Sequence, residues 1–171
     1  MRKVIALVGT ASVGKTTVFE LLKNKLPKYE FINESTRTVS KYGFKINEEG
    51  TDATQLAIAS FHLKALLQPF NLILDRCMMD AVVYTRVTDV SEGTKEYMKY
   101  IWENVKDEYT HYIYFPIEFA AVDDGVRSIN EVWRKEIDNE FKVELDRLGR
   151  NYLSVTGSPM QRVHQILDYI K

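Results

Sequence analysis

The sequence predicts an α/β fold in which a doubly wound, mostly parallel five-stranded sheet carries helices on both faces. Short apolar runs alternate with longer segments of helical periodicity, which is the pattern of parallel strands joined by helical crossovers. A glycine-rich loop separates the first apolar run from the first helical segment. The chain has 171 residues, of which 45% are hydrophobic and 27% charged, so we expect one domain over residues 1–171 with one large core.

Five short segments have the composition of buried strands. The first, Val4 to Val8, is continuously apolar and followed by glycine, which suits a central strand covered on both faces. The third, Asn71 to Leu74, leads directly into Asp75. The other predicted strands are Tyr29 to Asn33, Tyr112 to Phe115 and Tyr152 to Val155.

Seven segments between and after these strands show helical spacing of their apolar residues. Proline marks two of their ends, since Pro27 follows the first segment and Pro69 follows the third. The predicted helices are Thr16 to Leu26, Glu34 to Tyr42, Thr54 to Leu67, Ala81 to Thr88, Gly93 to Lys106, Asn130 to Leu148 and Pro159 to Ile170.

Composition excludes several classes of protein. Lys and Arg number 23 against 24 Asp and Glu, a balance too even for general attraction to nucleic acid or to an anionic membrane. No apolar run approaches the roughly 20 residues of a membrane-spanning helix. Cys77 is the only cysteine, which excludes an internal disulfide framework and favours a reducing compartment. We therefore expect a cytoplasmic protein without a membrane partner, and the oligomeric state stays open.

One loop carries the strongest functional signal. Residues Gly9 to Thr16 match G-x-x-x-x-G-K-[ST] and lie between a strand and a helix, the context that a phosphate-binding loop (P-loop) requires. The backbone can curl so that N–H groups point at phosphate, Lys15 would face the β- and γ-phosphates, and the Thr16 hydroxyl would bind Mg²⁺. The predicted nucleotide-contacting residues of this segment are Gly9, Thr10, Ala11, Ser12, Val13, Gly14, Lys15, Thr16 and Thr17.

The third predicted strand ends in an acid that could hold the same ion. Leu72-Ile73-Leu74-Asp75 has the form of a Walker-B element, an apolar strand followed by a carboxylate. Asp75 could therefore bind Mg²⁺ directly or through water. The alternative is an acid that merely ends a strand.

Two clusters after strand ends are candidates for contact with a phosphate acceptor, because the carboxyl ends of parallel strands face one crevice. Glu34 could accept a proton from an attacking hydroxyl, and Arg37, one helical turn on, could steady an anionic group. Arg76 could hold an acceptor phosphate or neutralise charge on the transferred group, while Asp80 could orient Arg76 or bind a substrate hydroxyl. The alternatives are a favourable acid at a helix N-terminus for Glu34 and a surface ion pair for Asp80.

Two further segments could contact the nucleotide. The cluster Val122 to Ser128 precedes a basic helix that carries Arg134. Together they could form a lid over about residues 122–140 that closes over ATP and excludes water. Such a lid would bring arginine, above all Arg127, to the γ-phosphate. The alternative is a solvated amphipathic helix. Gly157, in the turn after the fifth strand, is the predicted contact to the base.

With these residues, the chain resembles the P-loop kinase group that includes the nicotinamide riboside kinase domain of bacterial NadR proteins and related AAA-type small kinases, some of them viral. The resemblance rests on Gly9 to Thr16, on Glu34-x-x-Arg37, on Asp75 and on Asp123-Asp124-Gly125-x-Arg127-Ser128. The Asp75-Arg76 pair is also similar to the acid-arginine pair of deoxynucleoside and thymidylate kinases. The resemblance implies Mg·ATP as donor and a small-molecule nucleoside or nucleotide as acceptor. If the chain is viral, the expected location of the protein is the host cytoplasm.

Three functions stay open at this point. The leading one is Mg-ATP-dependent phosphoryl transfer to a nucleoside or nucleotide. The second is a DNA kinase that phosphorylates a hydroxymethylated base, and the third is a nucleotide-dependent switch or binding module with slow hydrolysis. A GTPase of the common kind would carry an N-K-x-D element for guanine, and the chain has none. ATP is expected as the nucleotide, in preference to GTP. No cluster that would recognise nicotinamide is evident.

Overall fold

Five parallel strands form the centre of the structure, a computed structural model that describes residues 2–121 and 128–171. Their order across the sheet is second, third, first, fourth, fifth, and every paired neighbour is parallel. The strands are β1 (Val4–Val8), β2 (Glu30–Ile32), β3 (Leu72–Asp75), β4 (His111–Tyr114) and β5 (Leu153–Ser154).

The strand β1 occupies the middle of the sheet because all five of its side chains are apolar and tolerate cover on both faces. All five are buried. Ala6 pairs with Leu74 of β3 on one side and with Tyr112 of β4 on the other. The three strands therefore run side by side, and the residues that follow them emerge at one edge of the sheet.

The connections between the strands are helical. Side-chain caps begin four of the longer helices, α3, α5, α6 and α7; in α3 and α7, for example, Thr51 accepts the N–H of Thr54 and Ser158 accepts that of Gln161. The α-helices are α1 (Lys15–Lys23), α2 (Thr36–Lys41), α3 (Asp52–Leu66), α4 (Met78–Val87), α5 (Glu92–Val105), α6 (Glu131–Arg147) and α7 (Pro159–Tyr169), and short 3₁₀ turns lie at Asn47–Glu49 and Lys106–Glu108.

Each face of the sheet has its own hydrophobic core. The side chains of Val4, Ala6 and Val8 point into a core that is completed by α3, α4, α5 and α6. Ile5 and Leu7 point the other way, into a core completed by α1 and α7. The predicted doubly wound α/β fold is confirmed, and the sheet is parallel throughout the described strands.

The predicted elements all occur, with ends that differ from the predicted ones by up to three residues. The clearest difference is α4, which begins at Met78 and not at Ala81. Asp80 accepts the N–H of Cys77 at 2.9 Å and so caps this end, a role that an aspartate inside a predicted loop does not reveal. Among the described helices, none is long and apolar enough to cross a membrane.

Candidate functional site

The loop between β1 and α1 has a constrained backbone. Gly9, Ser12 and Gly14 have positive φ angles of 135°, 56° and 85°. Only glycine fits at position 9, since a Cβ atom there would lie 2.5 Å from the carbonyl oxygen of Phe115. Ser12 has a side chain and still adopts the left-handed conformation, which requires support from the surrounding structure.

The same loop ends at the positive end of a helix dipole. Gly14 is the residue before α1, a helix of nine residues, and no side chain in the described part of the chain caps the first N–H groups of that helix. Uncapped N–H groups at a helix start can bind an anion, and the dipole favours negative charge there. The loop therefore has the backbone of a phosphate site.

Lys15 lies buried under this loop. Its Nζ atom donates to the carbonyl oxygens of Gly9 (2.7 Å) and Thr10 (2.6 Å). Burial and, second, the charge of Arg76 lower the pKa of Lys15 to about 7, although Asp75 acts in the opposite direction. A bound phosphate would favour the charged ammonium.

Thr16 and Asp75 meet beside Lys15. The Thr16 hydroxyl donates to Asp75 Oδ2 at 2.9 Å. The other oxygen, Oδ1, is buried and has no hydrogen-bond partner in the described part of the chain. Burial raises the pKa of Asp75, while the charge of Lys15 opposes that rise. An orphaned carboxylate oxygen next to a hydroxyl fits a hard cation such as Mg²⁺.

A magnesium ion held in this way needs few protein ligands, because Mg²⁺ keeps waters and takes phosphate oxygens as ligands. Within residues 2–121 and 128–171, no group of three or more His, Cys, Asp or Glu side chains could hold a metal ion. Mg²⁺ at this site would therefore depend on the nucleotide as well as on Thr16 and Asp75.

Arg76 forms the centre of a buried polar network. Its Nε donates to Glu34 Oε1 at 2.7 Å, and its Nη1 donates to Asp80 Oδ1 at 3.1 Å and to the Tyr84 hydroxyl at 3.0 Å. Arg76 has a φ of 81°, a second strained residue in the site. The predicted link between Asp80 and Arg76 is present.

Asp80 is not part of a surface ion pair, the alternative that the sequence left open. It is 2% exposed, because it belongs to the first turn of α4 and points inward. Burial raises the pKa of Asp80 to about 6, and the charge of Arg76 opposes that rise. Glu34 is likewise nearly covered, with 9% of its side chain exposed, so it is not a solvated helix-end acid.

A crevice connects this network with the P-loop. Together with the open solvent at its mouth, it holds about 560 Å³ of non-atom space. Its walls come from the P-loop, from Glu34 and α2, from the 3₁₀ turn 47–49, from α3, and from Arg76 with α4. The lining residues include Ala11, Glu34, Arg37, Gln55, Arg76, Asp80 and Tyr84.

Two buried polar residues of α3 that line the crevice, Thr54 and Gln55, were not predicted to belong to the site. Gln55 lines the crevice and is 3% exposed, and its side-chain carbonyl oxygen has no hydrogen-bond partner among the described residues. His62 is two turns further along the helix. Burial and, second, Arg76 lower the pKa of His62 to about 3, so this histidine is neutral and carries no acid-base chemistry near neutral pH. A glutamine inside a helical pattern gives no sequence signal for such a place.

The environment of Arg134 differs from both interpretations of the sequence, which placed it either in a lid directed at phosphate or on a solvated helix. Arg134 is fully buried and donates to the carbonyl oxygens of Ala11 and Ser12, on the outer side of the P-loop. A helix of high charge content suggested solvent, whereas these carbonyls provide acceptors that can satisfy a buried guanidinium.

The fold and the site can be compared with known proteins. A family model described as an AAA domain matches residues 4–162. The chain belongs to the AAA domain family. Comparison of this AAA domain with curated protein sequences gives no significant match.

Several solved structures share the fold of this AAA domain. The NadR protein in complex with NR superimposes with a TM-score of 0.81 at 19% identity over 99% of this chain, which spans 50% of the NadR chain. Deoxyadenosine kinase from M. mycoides gives 0.76 at 18% identity, over 98% of this chain and 97% of the kinase. Thymidylate kinase from Candida albicans gives 0.71 at 18% identity, over 99% and 91%. The predicted resemblance is confirmed: the family model shows the AAA-type family, and the solved structures show the P-loop kinase fold.

The predicted site residues of this AAA domain fall into three groups. The P-loop, Asp75, Glu34, Arg37, Arg76 and Asp80 come together at one edge of the sheet. Gly157 lies on an exposed turn, where its N–H donates to Glu118 and its carbonyl accepts from Arg162, and its contact to a base stays a prediction. Arg127 and the loop 122–126 lie outside the described residues, so the lid also stays a prediction.

Proposed function

We propose that this AAA domain transfers the terminal phosphoryl group of ATP to a nucleoside or nucleotide acceptor. The observation that carries the proposal is the shared edge of the sheet, where the P-loop opens into a crevice that contains an acid, Glu34, and a buried arginine, Arg76. A donor site next to a shaped acceptor site is what a phosphotransferase needs and a simple nucleotide switch does not.

On the donor side, the P-loop N–H groups and Lys15 bind the phosphates of ATP. Thr16 and the orphaned oxygen of Asp75 would hold Mg²⁺. The ion would neutralise charge that develops on the phosphate oxygens during transfer. Lys15 adds a positive charge at the same place, in a buried setting where the charge acts strongly.

On the acceptor side, Glu34 orients the attacking hydroxyl and takes its proton. The new bond joins the acceptor oxygen to the γ-phosphorus, and the bond from that phosphorus to the β,γ-bridging oxygen breaks, which releases ADP. Arg76 holds Glu34 in place and, with Arg37, neutralises negative charge in the crevice. Arg127 and the lid around it would close the site against water.

The first test measures ADP release by the purified protein with Mg²⁺ and ATP. Acceptors are nucleosides, nucleoside monophosphates, nicotinamide riboside, and DNA with and without a hydroxymethylated base. Lys15→Met should abolish turnover with every acceptor, whereas Lys23→Met, on the exposed side of the same helix, should leave it unchanged. One acceptor that raises turnover well above the rate with water alone supports the proposal. Tight nucleotide binding without any active acceptor would favour the switch or binding module.

A second test addresses the role of Glu34. Glu34→Gln keeps the size of the side chain and removes its basicity, so it should slow transfer to an alcohol by roughly 100-fold or more and affect a phosphate acceptor less, since a phosphate is already ionised. Rates for the two kinds of acceptor with the same variant provide the comparison. Unchanged transfer to an alcohol would exclude Glu34 as the base.

A further inference from the structure

Two buried arginines have no part in the phosphoryl transfer described above. Arg134 belongs to α6 and is 0% exposed, and Arg162 belongs to α7 and is 2% exposed. Both side chains reach the outer side of the P-loop from the helices that flank it. A buried guanidinium is costly unless all its donors are satisfied, so this arginine pair requires an explanation.

Arg134 is completely satisfied, and three of its partners are backbone carbonyls. Nε donates to Ala11 O at 2.9 Å, and Nη2 donates to Ser12 O at 3.2 Å and to Phe119 O at 3.0 Å. Nη1 donates to both carboxylate oxygens of Glu131, at 2.8 and 3.0 Å. These five hydrogen bonds match the five N–H groups of a guanidinium.

Arg162 holds the next carbonyl of the loop. Its Nη1 donates to Val13 O at 2.6 Å, its Nε donates to Gly157 O at 2.9 Å, and its Nη2 donates to Glu118. The guanidinium carbon lies 5.6 Å from the ring centroids of both Phe115 and Phe119. Both rings therefore lie within cation–π distance of this guanidinium.

Three consecutive carbonyls of the loop are therefore fixed, those of Ala11, Ser12 and Val13. Because a trans peptide is planar, its C=O and the following N–H point in opposite directions. Fixing these carbonyls outward fixes the N–H groups of residues 12, 13 and 14 inward. None of these three N–H groups makes a backbone hydrogen bond within residues 2–121 and 128–171.

We propose that Arg134 and Arg162 are positioning residues that hold the P-loop in its phosphate-binding conformation before a ligand arrives. They also stabilise the left-handed backbone of Ser12, whose carbonyl Arg134 binds. Each arginine is paired with a carboxylate, Glu131 or Glu118, so they act by orientation and not by net charge. The inference rests on the proposed function for the identity of the anion, a nucleoside triphosphate.

Binding of ATP and of inorganic tripolyphosphate, measured by calorimetry, tests the inference without any acceptor. Arg134→Met and Arg162→Met should each weaken both ligands by roughly 10- to 100-fold, the range for loss of hydrogen bonds from a charged donor. Equal losses for the two ligands are expected, because tripolyphosphate lacks the base and ribose. Arg134→Lys keeps the charge, but its three donors sit on one nitrogen and cannot reproduce the planar five-donor fork that reaches Ala11, Ser12, Phe119 and Glu131 together, so binding should stay well below wild type.

Arg147→Met is the matched control. Arg147 lies on the same helix as Arg134 and binds the buried Glu144, but it makes no contact with the P-loop. This variant should bind tripolyphosphate like wild type even if its melting temperature falls. If Arg147→Met and Arg134→Met weaken binding equally, or if Arg134→Lys binds like wild type, the arginine pair does not act by orienting the loop.

A measurement without ligand separates this inference from the proposed function. The amide NMR shifts of residues 12, 13 and 14 should move in Arg134→Met and Arg162→Met and stay in place in Arg147→Met. Unchanged shifts in the first two variants would overturn the positioning role alone. Wild-type protein that binds neither ATP nor tripolyphosphate would overturn the proposed function and, with it, the assignment of a triphosphate to the loop.

Discussion

Replacement of Arg76 should destabilise the fold strongly, because this guanidinium compensates two buried carboxylates. Arg76→Met preserves much of the side-chain volume but leaves the carboxylates of Glu34 and Asp80, whose side chains are 9% and 3% exposed, without their shared donor. Removing one partner of a buried ion pair typically costs about 3–5 kcal/mol. We expect a loss in this range in the free energy of unfolding at pH 8.

The loss should shrink when the pH falls. Burial already raises the pKa of Asp80 to about 6, above its ordinary value, and Arg76 opposes that rise. A group whose pKa is higher in the folded state favours folding below its unfolded-state pKa, and this advantage disappears as the pH rises through the folded-state value. Without Arg76 the folded-state pKa rises further. The destabilisation by Arg76→Met should therefore be smaller at pH 5 than at pH 8.

Urea unfolding at the two pH values provides the measurement. The triple variant Arg76→Met, Glu34→Gln, Asp80→Asn removes both negative charges along with the positive one, and it should recover much of the lost stability. If the triple variant is no more stable than Arg76→Met, or if the loss is the same at pH 5 and pH 8, then uncompensated charge is not the reason for the effect.

Three further predictions concern single residues. Gly9→Ala should destabilise the protein by more than about 1 kcal/mol, because the new Cβ meets the Phe115 carbonyl. Gly43→Ala, at a positive φ with open space around it, should lower the stability less. Thermal unfolding of the two variants provides the comparison. Thr16→Val removes the hydroxyl that would bind Mg²⁺, so calorimetry should show that Mg²⁺ no longer strengthens ATP binding, while binding without Mg²⁺ is retained. Gln55→Leu removes a buried side-chain carbonyl that has no partner in the described part of the chain, so the protein should not become less stable. Steady-state kinetics should show a higher KM for the acceptor and an unchanged KM for ATP, because Gln55 lines the crevice. An altered KM for ATP would contradict a role of Gln55 in acceptor binding.

Local sequence determines much of what was predictable here. The P-loop is recognisable because its glycines, Lys15 and Thr16 act through the backbone of one short segment, and the strand before it is apolar throughout. The chain direction of parallel strands then places the residues after β2 and β3 near the loop. Glu34 and Arg76, predicted separately, do form an ion pair.

Other features depend on contacts that the sequence does not encode locally. The burial of Arg134 and Arg162 depends on carbonyl acceptors more than a hundred residues away in the chain, so the charge of Arg134 suggested solvent, and no prediction was made for Arg162. Gln55 lies at a helical position where either a polar or an apolar residue is compatible with the helix pattern, so its sequence position does not indicate that it lines the crevice. Asp80 caps α4 through Cys77, which is not a usual capping residue.

The position of β1 also affects how the chain is made. β1 is translated before the other four strands, yet it pairs with β3 only after Leu72 has been synthesised and with β4 only after His111. Until then the emerging polypeptide exposes a fully apolar strand with unpaired hydrogen-bonding edges, a state that attracts chaperones and other unfolded chains. Ribosome-bound chains that stop before His111 should consequently be far more susceptible to proteases and aggregation than chains a few dozen residues longer.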